Sequence, residues 1–298
     1  MLVVKYSEIM LKSKMTRVIL ERMLEWNLKS ALEGRRFKLS REGGIFFIDV
    51  DEERKCAEKL RKVFGIANIS ICDVVPAEFD RIAEKCVAIG REFKRSSSFA
   101  IRAKRVGEHS FSSRELCIEG GRRILEELRD KKLKVDLDEP DEEIFIDVRE
   151  GRAFVSRGCI KAYGGIPLGS QGKVVAVITD RNSYIAAWMM MRRGCEVIAV
   201  CNSKRGCELA EKLRDWHIGR RMEVYNLSSK DSKIGKEELF REAGRVTREN
   251  CAGGVVSGES LCKNKKLAEL KKLAKLAGVP VYRPLILLED EMGKMVVC

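Results

Sequence analysis

Between residues 99 and 124 the chain reads FAIRAKRVGEHSFSSRELCIEGGRRI, a stretch that concentrates residue types able to hold phosphate. On a strand, Arg102 and Lys104 point to one face and Arg105 to the other, because side chains alternate with a period of two. Gly107 turns the chain, and His109, Ser110, Ser112 and Ser113 lead into a helix whose first turn holds Arg114. Hydroxyls, helix-end amides and cations converge there, as they do on surfaces that position a nucleic-acid backbone. A charged exterior strand followed by an ordinary serine cap accounts for the same residues equally well. The segment alone leaves both readings open.

The bulk composition bears on partners. The 298 residues carry 58 lysines and arginines against 45 acids, a formal charge of +13 with a pI near 9.2. Polyphosphates are the natural partners of such a surface, since each cation placed on a phosphate releases condensed counterions. A solvated, lysine- and glutamate-rich exterior of a heat-adapted protein is the plainer alternative. The opening MLVVKYSEIM holds Lys5 and Glu8 within its apolar stretch, unlike a secretory signal. The longest apolar runs, 174–178 and 185–191, are too short to span a bilayer. A soluble, cytoplasmic protein without a membrane partner is expected. Eleven cysteines are scattered with no Cys-x-x-Cys pair, and the histidines are His109 and His217 alone. Zinc-site spacing is therefore absent, and no metal is expected. Cys72, Cys86, Cys117, Cys195 and Cys201 stand in apolar surroundings, where a reduced thiol serves as a small core hydrophobe. Disulfides inside cells belong mainly to hyperthermophiles.

Positioning such residues takes two or three compact units at this length. Strands are predicted at 2–6, 37–39, 45–50 and 69–75, with helices at 16–32 and from 52 to 64, which is the split βαβ, ferredoxin-like order. Arg41-Glu42-Gly43-Gly44 marks a hairpin, and Gly34 and Gly65 end the helices. A second unit follows with helices at 79–93 and 113–129 and strands at 99–103, 133–137, 144–148 and 153–155. From Lys173 the pattern becomes alternating strands and helices. The continuous apolar runs 174–178, 197–201, 222–225 and 254–256 read as buried parallel strands. The expected division is 1–75, 76–165 and 166–298, in an α/β and α+β architecture.

The 99–124 segment resembles the core of a THUMP domain, in the version found in the tRNA 4-thiouridine synthetase (tRNA sulfurtransferase) family. Lys5-Tyr6-Ser7-Glu8-Ile9 with Lys12, Lys14 and Arg17 is similar to that family's opening motif. Phe64-Gly65-Ile66, Val135-Asp136-Leu137 with Pro140-Asp141, the linker from Tyr163 to Lys173, and Arg283-Pro284-Leu285-Ile286 match in order over almost the whole chain. The resemblance implies an N-terminal ferredoxin-like domain and a THUMP domain that together grip tRNA, followed by a PP-loop adenylating domain. It implies RNA contacts at Lys5, Lys12, Lys14, Arg17, Arg102, Lys104, Arg105, His109, Ser112 and Arg114. It also places Ile178, Thr179, Asp180, Ser183, Cys201 and Gly258 around the ATP pocket, with Mg as companion ion if the domain is active. A homodimer, a sulfur-donor protein or a competent paralogue are the further partners it suggests.

One motif departs from the family. There, the first strand of the last domain leads into a loop Ser-Gly-Gly-x-Asp-Ser, whose glycines let backbone amides wrap the ATP pyrophosphate at a helix N-terminus. Here the chain reads Ile178-Thr179-Asp180-Arg181-Asn182-Ser183. Both glycines are gone, the loop is one residue shorter in register, and Asp180 sets a carboxylate where phosphate oxygens would lie. Asp180 reads more simply as a helix N-cap. After Ser257-Gly258-Glu259-Ser260-Leu261, which matches a pocket-lining segment, the family's small polar residues are replaced by Cys262 and a lysine cluster. The family's sulfur-relay cysteine lies beyond the Arg-Pro-Leu motif, and its loss is expected here. Cys251 and Cys262 are the two candidates to stand in for it, since relay needs an exposed thiolate of lowered pKa. An inert thiol is the stronger reading of each. The expectation is a tRNA-binding member of the family whose adenylation is lost or altered; the alternative is an active ATP-dependent sulfurtransferase making 4-thiouridine.

Overall fold

The computed structural model describes residues 1–6, 8–227, 234–260 and 267–287. In chain order it contains β1 (Leu2–Tyr6), α1 (Lys14–Ala31), β2 (Phe37–Glu42), β3 (Ile45–Val50), α2 (Glu53–Leu60), β4 (Ile66–Ile71), β5 (Asp73–Pro76), α3 (Phe79–Gly90) and β6 (Ser98–Val106). Next come α4 (Ser113–Glu127), β7 (Lys134–Val135), β8 (Glu142–Arg149), β9 (Arg152–Arg157), β10 (Ile160–Lys161), β11 (Lys173–Val177), α5 (Arg181–Arg192) and β12 (Glu196–Cys201). The chain continues with α6 (Lys204–Leu213), β13 (Val224–Asn226), α7 (Lys236–Glu249), β14 (Val255–Val256), α8 (Leu267–Ala277) and β15 (Val281–Tyr282). It divides into two compact units. One comprises Met1–Lys5, Arg35–Glu58 and Asn68–Lys161; the other comprises Tyr6–Gly34, Lys59–Ala67 and Ala162–Cys298.

The first unit holds two sheets. One has the order β10-β4-β1-β3-β2, whose last four strands are in the ferredoxin-like order. The other has the order β5-β9-β8-β6-β7. Period-two alternation sorts every residue of the second sheet to one of two faces. Phe99 and Ile101 on β6, Ile144, Ile146 and Val148 on β8, and Ala153 and Val155 on β9 join Ile82, Cys86, Leu116 and Ile124 of α3 and α4 in one core. The opposite face carries Phe154, which packs with Val3, Ile45 and Phe47 of the first sheet and with Cys72. The Phe47 and Phe154 ring centroids are 4.6 Å apart. The strand expected at 69–75 is in fact two. Residues of β4 pair with β10, whereas β5 pairs antiparallel with β9 in the other sheet. Cys72 sits at the break, buried in the core between the sheets, so a continuous apolar run conceals a change of sheet.

In the second unit, β13-β12-β11-β14-β15 form a sheet whose strand pairs are all parallel. Val174, Ala176, Val197 and Ala199 face a core that includes Ile185 and Trp188 of α5 and Leu213 of α6. Val175, Val177, Ile198 and Val200 face Leu239, Phe240 and Leu273 of α7 and α8. Burial on both faces explains why these strands read as unbroken apolar runs. The strand order is doubly wound and reverses between β11 and β14, and such a switch point leaves a crevice at the carboxyl ends of the strands.

The thiols depart from expectation at one place. Cys201, at the end of β12, is disulfide-bonded to Cys207 on α6, with a sequence separation of 6 and Cα atoms 5.5 Å apart. The turn from strand to helix folds the two back onto each other, which residue spacing does not advertise. Cys56, Cys72, Cys86 and Cys195 are buried free thiols, and burial pushes Cys72 and Cys86 up to about 12. Cys207→Ser is expected to lower stability by about 2 kcal/mol through the opened loop. Denaturation with and without reductant checks it: reductant should shift the midpoint of the wild type and leave that of the variant in place.

Candidate functional site

The switch point of the parallel sheet opens into a cavity of about 380 Å³. Thr179, Asp180 and Ser183 line it after β11, Asn202 and Ser203 after β12, and Ser257, Gly258 and Glu259 after β14. Lys236, Leu239 and Phe240 close it from α7. Of the residues that the family resemblance places around ATP, Thr179, Asp180, Ser183 and Gly258 are therefore brought together. Ile178 is wholly buried behind them, and Cys201 is buried in its disulfide. Glu259 lies in the Ser257–Leu261 segment that the resemblance places along the pocket, whereas Asn202, Ser203 and Lys236 escape sequence reasoning, although two small polar residues directly after an apolar run are the signal that points to the first pair.

The start of α5 decides what this cavity can hold. Asp180 is its N-cap in a capping box: the Ser183 amide donates to Asp180 Oδ1 at 2.9 Å. The Thr179 and Asp180 amides both donate to Ser183 Oγ, each at 2.9 Å. Three amides of this turn, those of Thr179, Asp180 and Ser183, are thus satisfied by the chain's own side chains, and the helix dipole faces the chain's own carboxylate. Gly258 presses against the same turn; a Cβ there would lie 2.2 Å from the Ser183 nitrogen. A triphosphate does not fit this turn as it stands.

Lys236, which lines the cavity, is also committed. Glu259 is buried, with Lys236 Nζ at 2.6 Å from one carboxylate oxygen and Arg283 Nε at 3.0 Å from the other. Lys236 also reaches Glu269 at 3.1 Å. Burial alone raises the Glu259 pKa, but the hydrogen bonds from Lys236 and Arg283 outweigh it and hold the carboxyl below its usual range. Burial disfavours the Lys236 ammonium, and its two carboxylate partners more than restore it.

Cys251 is exposed, in the left-handed region (φ 50°), in the turn after α7. It precedes β14, whereas the cavity opens beyond the other end of that strand. Cys262, the lysines after it and Ser7 lie outside the described residues. His217 is structural: Nε2 accepts from the Val197 amide at 3.1 Å, and burial lowers its pKa. Among the described residues no group of three or more His, Cys, Asp or Glu comes together that could hold a metal ion. No helix among them is long and apolar enough to cross a membrane.

In the first unit, the basic residues fall into two sets. Lys5, Arg102 and Lys104 line one cleft between the two sheets. Arg105 lies on the other side of β6, its Nη1 donating to the His109 carbonyl at 3.1 Å. His109 stacks on Phe111 with centroids 5.6 Å apart. Ser112 caps α4 in a capping box with Glu115, so its hydroxyl is occupied. Arg114 is exposed on the first turn of that helix. Lys12 and Lys14 are exposed and Arg17 half-buried, at the start of α1 in the second unit.

An N-terminal ferredoxin-like sheet, a THUMP-type α/β unit and a parallel-sheet domain with its cleft at the switch point define a THUMP-bearing protein of the PP-loop class. The ThiI ferredoxin-like domain model matches residues 1–70, and the THUMP domain model matches residues 76–157. A probable tRNA sulfurtransferase of Methanosarcina mazei is 33% identical over 95% of this chain and 78% of its own length. One from Thermococcus kodakarensis is 32% identical over 97% and 84%. Among solved structures, a Pyrococcus horikoshii protein superposes with a TM-score of 0.83 at 29% identity, covering 99% of this chain and 97% of its own. A 4-thiouridine synthetase in complex with RNA and bound ATP gives 0.82 at 25% identity, covering 99% and 84%. The chain belongs to the tRNA sulfurtransferase family.

Proposed function

We propose that this protein binds tRNA and has lost the ATP-dependent adenylation from which 4-thiouridine synthesis starts. The observation that carries the second half is the start of α5, where the Asp180 and Ser183 side chains take the Thr179, Asp180 and Ser183 amides and a carboxylate stands in place of the glycines that would let the backbone wrap a pyrophosphate. A carboxylate at that spot repels phosphate oxygens in a site of reduced dielectric. Support for the first half comes from family membership and from the basic residues of the THUMP-type unit. RNA duplexes are recognised largely through shape and backbone, which suits such a surface. The protein works where tRNA is, in the cytoplasm, and delivers bound tRNA to a competent paralogue or to a sulfur-donor enzyme.

The reading of an active enzyme has one observation in its favour: the cavity at the switch point persists, with the hydroxyls of Thr179, Ser183 and Ser257 around it. Release of AMP and pyrophosphate from ATP, with tRNA and sulfide present, separates the two. No release from a sample that binds tRNA is expected. Release that depends on tRNA would overturn the proposal and establish that the shortened loop still adenylates uridine.

A further inference from the structure

The turn from β12 into α6 carries a pair of sulfurs that nothing in the tRNA reading uses. Cys201 ends β12 and Cys207 closes the first turn of α6, so their disulfide ties the segment 202–206 into a loop. Two residues of that loop line the switch-point cavity, Asn202 and Ser203. Asn202 Nδ2 donates to the Ile234 carbonyl at 2.8 Å, and Ser203 Oγ caps α6 by accepting from the Gly206 amide at 3.2 Å. Gly206 is pressed onto the end of β11, where a Cβ would lie 2.4 Å from the Ile178 carbonyl oxygen. Thr179, the next residue, lines the same cavity. The bridge therefore pins one wall of the cavity against the strand beside it.

A structural staple is the plain reading of such a bond, and loop length argues against it. Stabilisation through loop closure grows with the number of residues enclosed, and a sequence separation of 6 sits at the low end. The two sulfurs also differ in access. Cys201 is wholly buried, whereas Cys207 is partly exposed, so an outside thiol approaches the bond from the Cys207 side. The surroundings favour the opened form. A Cys207 thiolate would sit within one turn of the start of α6, at the positive end of the helix dipole. Lys204, three residues earlier and so a neighbour on the helix surface, is exposed and makes no ion pair among the described residues. Glu211, one turn further on, already pairs with Arg214 at 2.8 Å. Helix N-termini and nearby lysines favour thiolate over thiol, and a stabilised dithiol form makes a disulfide easier to open.

We propose that Cys201 and Cys207 form a reversible thiol–disulfide exchange site for a small-molecule thiol, and that its oxidation state fixes or frees the 202–206 wall of the switch-point cavity. A thiolate RS⁻ attacks Cys207 Sγ and forms RS–S–Cys207. The Cys201–Cys207 bond breaks, and its electron pair leaves on Cys201, which takes up a proton. A second thiolate attacks the RS sulfur of the mixed disulfide, giving RSSR and the Cys207 thiolate. Two thiols are oxidised for one disulfide reduced. With the bond open, Asn202 and Ser203 keep only their hydrogen bonds, and the loop is released from the end of β12. Every residue involved lies in the second unit, so the inference stands apart from the RNA-binding reading.

The test equilibrates the native full chain with mixtures of reduced and oxidised glutathione, quenches with an alkylating reagent and reads each cysteine by peptide mass. Cys201 and Cys207 are expected to become alkylatable together while the protein stays folded. At intermediate ratios glutathione should appear on Cys207 and not on Cys201. Reduction that requires denaturant, or glutathione on Cys201 alone, overturns the exchange site. A second arm reads the wall. Lys204 and Arg205 are exposed trypsin sites inside the loop, and the native protein should be cut there roughly tenfold faster once reduced, as the loop-closure constraint goes. The wild type is compared with itself, so no variant has to fold. Cys201→Ala adds a control whose cutting rate should match the reduced wild type and ignore reductant. Equal cutting of oxidised and reduced wild type overturns the coupling to the cavity wall.

Discussion

Glu259→Ala is expected to destabilise the protein by about 3–5 kcal/mol, the usual cost of removing one member of a buried ion pair. Its carboxylate stands between Lys236 and Arg283, and the Arg283 side chain is only 12% exposed. Truncation therefore leaves a nearly buried guanidinium with the Leu270 carbonyl as its remaining contact among the described residues. Exposed pairs such as Arg122–Glu126 and Arg245–Glu249 are a different matter, because solvent and salt screen them and they add little to stability. Glu259→Gln keeps shape and hydrogen-bonding capacity and should cost less. Denaturant unfolding monitored by tryptophan fluorescence is a direct readout, since Trp188 and Trp216 lie in the core of the same unit. The pH dependence has a definite sign. The folded-state pKa of Glu259 lies below its unfolded value, so its contribution is complete above the ordinary carboxylate range, around pH 4–5. That contribution disappears as pH falls through the lowered folded value. In Glu259→Gln the acid-side loss of stability should be shallower than in the wild type. An equal slope in both proteins would mean that other carboxylates carry it.

Much of this architecture is written in residue periodicity. Val174, Val175, Ala176 and Val177 form an unbroken apolar run because β11 is covered on both faces, and a strand with one wet face would alternate instead. Arg102 and Lys104 alternate with Phe99, Ile101 and Ala103, so their shared face is readable without coordinates. Asp180 as the cap of α5 is readable too, because a short acidic residue directly before a helix has a strong local preference. What stays hidden depends on distant pairings. Nothing near Lys5 announces Asp147, since only the packing of one sheet on another brings β1 to β8. The Lys236–Glu259–Arg283 cluster draws on α7, on the turn after β14 and on the segment after β15. Arg283 stands out in sequence as part of an Arg-Pro-Leu motif, but its carboxylate partner appears only when the strand order is known. The strand expected at 69–75 misled for a related reason. Ile71 and Val74 are equally good strand residues, and propensity cannot say that they serve different sheets.

The basic residues of the first unit lead to the second large effect. Alanine at Lys5, Arg102 and Lys104 together is expected to weaken RNA binding by about ten- to a hundredfold near physiological salt. The slope of log affinity against log salt concentration should shrink as well, by about one for each phosphate contact removed. The structure sharpens this to a loss nearer two than three. Arg102 already donates to Glu143 at 3.0 Å and to the Leu137 carbonyl at 2.7 Å, so it offers a phosphate less than a free guanidinium would. Lys5 and Lys104 should account for most of the change. Arg105→Ala with Arg114→Ala probes the other set, on the far side of β6 and at the start of α4. Comparable losses from both sets would describe an RNA path that wraps around β6, whereas a loss confined to the first would locate the backbone in the cleft. Weaker binding with an unchanged salt slope would point away from phosphate contacts and toward a structural role for Lys5, whose ammonium pairs with the buried Asp147 carboxylate at 3.2 Å.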